Sequence, residues 1–82
     1  MSKINKLMLR LKSKPKDFTW EELVGLLTKL GFTELQGNGS RVKFYRRDID
    51  RVIHMHKPHP AKIIKRYVLN EVVEVLTKEK LL

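Results

Sequence analysis

Cysteine is absent from the chain. Disulfides and cysteine-ligated zinc are thereby excluded, and a reducing cytosol suits the composition. No apolar run approaches the roughly 18 residues that a membrane span needs. The opening residues Met1-Ser2-Lys3-Ile4-Asn5-Lys6 carry neither the apolar core nor the cleavage site of a secretory signal. The expectation is a cytoplasmic protein with no membrane partner. Internal repeats and low-complexity linkers are missing too. Acidic side chains are few: 9 Asp and Glu stand against 18 Lys and Arg, a formal net charge of +9. Such an excess on a short chain is the electrostatic footprint of a protein that meets a polyanion, with nucleic acid the first candidate and an acidic protein the second.

What is present is enough for one compact domain. The chain has 82 residues, 41% of them hydrophobic, near the size at which burial only just outweighs chain entropy. Ile4, Leu7, Met8 and Leu11 recur at i, i+3, i+4 and i+7, the spacing of one helical stripe, with Lys3, Lys6, Arg10 and Lys12 around it. Ser2 can cap this helix, and Pro15 should end it. A basic amphipathic segment of about three turns can touch a membrane surface, but its apolar stripe suits packing on the domain or a partner better. The second helix has a clearer start. Thr19 and Glu22 complete a capping box, Phe18 can staple to Leu23, and Trp20, Leu23, Val24, Leu27 and Leu30 form the stripe. Gly31 follows where a left-handed C-cap favours glycine.

Residues 32–36 read as a short strand. Gly37-Asn38-Gly39-Ser40 turns it into the alternating run 41–47, and a break at Asp48-Ile49-Asp50 leads to a third strand over 51–56. Glycine-rich loops can cradle phosphate, but those of the known kinds open onto a helix, and this one joins strands. The state of residues 61–67 stays open. A last helix is expected near Asn70, which can cap it, with Val72, Val73, Val75 and Leu76 as its apolar contacts. The fold class is therefore α+β: a three-stranded antiparallel sheet with helices on one face, in the order α-α-β-β-β-α.

Alternation on the strands sorts the chemistry, because successive side chains point to opposite faces. Val42, Phe44, Ile53 and Met55 form the core set. Arg41, Lys43 and Tyr45 share the other face with Val52, His54 and His56, a cationic patch bearing imidazoles that suits a phosphate backbone.

The order capped helix, Gly31-Phe32, short strand, Gly39-Ser40 and His59-Pro60 resembles the HicA toxins, small proteins with a fold like the double-stranded-RNA-binding domain. The resemblance covers residues 19–82 of a single 1–82 domain, with residues 1–14 as an additional helix. It implies an mRNA-cleaving toxin of a bacterial toxin–antitoxin pair, held inactive by a HicB-type antitoxin and oligomeric only through that partner or weak self-association. In the family a catalytic histidine directly follows the Gly-Ser. Here that position is Arg41, which cannot serve as a general base because its pKa lies above about 12.

RNA cleavage needs a base for the 2′-hydroxyl proton, cations for charge developing on phosphorus, and an acid for the leaving oxygen. His54 and His56 are the candidate proton carriers. Ser40, Arg41, Lys43, Tyr45, Lys57 and His59 are the candidate RNA contacts. Two imidazoles without a nearby carboxylate or cysteine make a poor metal site, so no metal and no cofactor is expected. The alternative is a non-catalytic module that binds RNA or a protein. DNA binding lacks a recognition-helix pattern.

Overall fold

The computed structural model describes residues 3–58 and 61–82. The expected Ser2 cap and the His59-Pro60 pair lie outside the described residues. Helix α1 (Lys3–Lys12) and helix α2 (Trp20–Lys29) precede strands β1 (Thr33–Gln36), β2 (Arg41–Arg46) and β3 (Arg51–His56), and helix α3 (Arg66–Lys78) closes the order. The sheet is antiparallel with β2 in the middle.

The start of α2 forms as the spacing of Thr19 and Glu22 predicts. The Thr19 hydroxyl accepts from the Glu22 N–H at 3.1 Å, and the Thr19 N–H donates to the Glu22 carboxylate at 3.0 Å. Gly31 takes φ 96° just past the helix end, a left-handed conformation that a Cβ would strain. The buried set of α2 is Trp20, Leu23, Leu26 and Leu27. Leu26 therefore takes core space that the expected stripe assigned to Val24 and Leu30, which are half-buried.

One apolar cluster joins every layer. Val42, Phe44, Ile53 and Met55 point from the sheet into it, and Leu11 of α1 is fully buried there with Leu7 and Met8 packed against it. The basic N-terminal helix thus packs on the domain. Trp20 meets Phe44 with ring centroids 5.9 Å apart, a tilted contact typical of aromatic core pairs.

Helix α3 begins four residues before Asn70, the expected cap. Its N-cap is Lys65, in extended conformation and with no side-chain capping bond, and Asn70 lies inside the helix. The reason is long-range pairing. Residues 62–64 run antiparallel to residues 18–20: the Trp20 N–H donates to the Lys62 carbonyl and the Ile64 N–H to the Phe18 carbonyl, both at 2.8 Å. This tether buries Ile64 and delivers the chain to α3 early enough for Leu69, Val72 and Leu76 to form its buried stripe.

Candidate nucleic-acid interface

Helices cover one face of the sheet, so the outward residues of β2 and β3 set the chemistry of the other. The register pairs Arg41 with His56, Lys43 with His54 and Tyr45 with Val52. Arg41, Lys43, His54 and His56 are all exposed. They border one depression of about 660 Å³ together with Gly37 and Asn38 of the β1–β2 turn. That turn is closed by the Gly37 N–H donating to the Arg41 carbonyl at 2.8 Å, and Gly39 supplies the positive φ of 64° it needs.

Ser40 belongs to the same end of the sheet. Its carbonyl accepts from the Lys57 N–H at 2.7 Å, which ties the exit of β3 to the entry of β2. Its Oγ lies 3.1 Å from Nδ1 of His56. The contact fixes one side of the imidazole, and no described residue engages Nε2. Nothing in the sequence pattern announced it, since the two residues are 16 apart and on different strands.

The expected site residues are not all together. Tyr45 is half-buried two positions beyond Lys43, beside Thr33, Arg47 and Asp48 at the opposite end of the sheet. Arg41 and Tyr45 are therefore separated by about 13 Å of strand. His54 also borders the cleft between β3 and α3, with Arg51, Glu71 and Glu74. Exposed Leu35 and Val52 give the open face an apolar component.

Electrostatics leaves the site cationic. Asp17, Glu21, Glu22, Asp48, Glu74 and Glu79 form ion pairs with Arg10, Lys62, Arg46, Lys78 and Arg51. Among the described residues no carboxylate forms an ion pair with Arg41, Lys43 or Lys57. Their charge is thus open to an outside anion.

Residues 57–58 and 61–68 border a second recess that the sequence did not suggest. It runs along Ser40, His56, Lys57 and Pro58 on one side and Ile63, Lys65 and Tyr67 on the other. Residues 61–67 show no helical or strand period, so their outward side chains had no assigned face.

Three helices on one side of a small antiparallel sheet, with a basic, imidazole-bearing surface on the other, make the described residues an α+β domain whose open sheet face is cationic. The family described as HicA toxin of bacterial toxin-antitoxin matches residues 20–77. That span is most of the chain, which therefore belongs to the HicA toxin family. It is a toxin of the toxin–antitoxin class. No curated protein and no solved structure matches the chain. No helix among the described residues is long and apolar enough to cross a membrane.

Proposed function

We propose that the protein is an endoribonuclease that cleaves mRNA without a metal or cofactor, and that a HicB-type antitoxin silences it. The observation that carries this reading is the register across β2 and β3, in which Arg41 stands opposite His56. Arg41 occupies the position where the family pattern has histidine. Directly opposed side chains on an antiparallel pair have Cβ atoms about 4.5–5.5 Å apart. The imidazole is therefore supplied from the neighbouring strand, close to where the family carries its own.

The proton roles divide between two histidines. With Ser40 Oγ accepting from Nδ1–H of His56, Nε2 carries the lone pair and takes the proton of the RNA 2′-hydroxyl as that oxygen attacks phosphorus. Arg41 and Lys43 bind the non-bridging phosphate oxygens and stabilise charge developing there. Protonated His54 donates to the departing 5′ oxygen. The P–O5′ bond breaks as the P–O2′ bond forms, leaving a 2′,3′-cyclic phosphate and a 5′-hydroxyl. Both protons are accounted for by the two imidazoles.

The test is induced expression in a bacterium, with growth and total RNA followed over time. The wild-type chain is expected to arrest growth and shorten RNA, and the double variant His54→Ala, His56→Ala to do neither. Shortened RNA from the double variant would remove the mechanism. Arrest with intact RNA would favour the second reading, a non-catalytic RNA-binding module, which the arginine at position 41 otherwise supports.

A further inference from the structure

The recess lined by Lys57 and Tyr67 lies directly beside His56 and Ser40, so one side of His56 faces the cationic depression and the other this recess. Its volume is about 390 Å³, within the roughly 300–1,000 Å³ typical of small-molecule sites. Its walls are held by backbone. The Lys57 N–H bonds to Ser40 on one side, and the pairing of residues 62–64 with 18–20 holds the other. Alternation along that tether turns Ile64 inward and leaves Ile63 38% exposed. Tyr67, in the first turn of α3, is 61% exposed. An isolated tyrosine on a helix surface is ordinary. This one lines a recess together with the apolar Pro58 and Ile63 and the cationic Lys57 and Lys65, next to a site suited to phosphate.

We propose that this recess is a nucleobase subsite, in which Tyr67 stacks on the unpaired base adjoining the phosphate that Arg41 and Lys43 hold beside His56. The inference rests on the RNA-directed reading of the His56 site. A cationic track interrupted by an aromatic face is the arrangement that binds single-stranded nucleic acid, because every base offers a π-face and every linkage a negative charge. Ile63 and Pro58 supply the apolar floor on which the base edge rests. Lys57 and Lys65 meet the phosphates on either side of that nucleotide. An acidic protein segment would find the same cations but has no regularly spaced planar group for Tyr67.

The probe is a short 2′-O-methyl oligouridylate, which cannot be cleaved, compared with the same strand lacking its bases. The 82-residue chain is expected to bind the intact strand about tenfold more tightly than the abasic one. Tyr67→Ala should remove that preference and Tyr67→Phe retain it. Ile63→Ala, a second exposed position, should reduce it. Equal binding of the two strands by wild type, or an unchanged preference in Tyr67→Ala, overturns the subsite. So does loss of antitoxin binding in Tyr67→Ala with RNA binding intact, which assigns the recess to a protein. The cleavage reading fails separately: a base preference that depends on Tyr67, with unmodified RNA left whole, keeps the subsite and removes the nuclease. Cleavage at unchanged positions and rates in Tyr67→Ala does the reverse.

Discussion

Arg10 Nε donates to Glu22 Oε2 at 2.8 Å, and Arg10 Nη2 donates to the other carboxylate oxygen at 3.1 Å. The same carboxylate closes the capping box of α2 through Thr19. A helix outside the span matched by the HicA family is thus clamped to the first turn of the helix that opens that span. Arg10 also lies over the buried Phe18 ring at 5.5 Å, so the clamp rests against the core.

The clamp makes stability depend on acid. Hydrogen bonding to Arg10 pulls the Glu22 carboxyl down to about 2, helped by the bonds from Thr19. A depressed folded value means that the contribution is present above the unfolded value of about 4.3 and is lost as pH falls through it toward 2. The thermal midpoint should therefore drop steeply between about pH 5 and pH 2. Asp48, held below the usual carboxylate range by Arg46, adds to that limb in every variant. Glu22→Gln should lower the midpoint at neutral pH and flatten the acid limb. Circular dichroism melts across pH check both, and an acid limb unchanged in Glu22→Gln would contradict the clamp.

Thr19→Ala removes one side of the capping box and should cost about 1 kcal/mol. On a domain of this size that lowers the melting midpoint by about 4–8 °C. Leu11→Ala should cost more, about 2–5 kcal/mol, because Leu11 is fully buried. Total stability for such domains is about 5–15 kcal/mol, so denaturant unfolding should show the Leu11 variant near its limit. A small effect there would mean that α1 merely rests on the surface.

Local signals explain how far the sequence could be read. Thr19 and Glu22 bond to each other across one helical turn, and the alternation of Val42, Phe44, Ile53 and Met55 needs only a strand beneath it. Both are legible in a short window. The early start of α3 is not, because it follows from hydrogen bonds between residues 62–64 and 18–20, far apart in the chain. Asn70 looked like a cap on local grounds, and the buried stripe of Leu69, Val72 and Leu76 required the helix to begin before it. The site divides in the same way. The shared face of Arg41, Lys43, His54 and His56 follows from period two, while the Ser40–His56 contact and the Tyr67 recess depend on tertiary closure.

The free cations of the open face should appear in the salt dependence of RNA binding. Each phosphate contact on a single strand contributes a slope of about −0.7 in log K against log salt. Arg41→Ala and Lys43→Ala should each reduce the slope by about that amount and weaken binding at low salt. Arg46→Ala should not, because Arg46 is engaged by Asp48 at 2.9 Å. A titration of binding against salt separates them, and an equal change in all three variants would mean that only net charge matters.

The Ser40–His56 contact gives the most specific expectation for chemistry. Under the proposed mechanism, which pairs a general base with a general acid, the cleavage rate should have a bell-shaped pH dependence. Removing His56 or His54 should each cost about 10² to 10⁴ in rate, the usual contribution of a positioned acid or base. Ser40→Ala leaves both imidazoles and both cations, so its loss should be smaller. It should fall in the turnover rate rather than in RNA affinity, because the hydroxyl orients His56 and is 3.1 Å from its ring. The limb of the pH profile belonging to the base should move in Ser40→Ala while the other stays. Single-turnover cleavage of one RNA across pH measures this directly. If Ser40→Ala weakened RNA binding and left the profile unmoved, Ser40 would be a phosphate contact and His56 would orient itself.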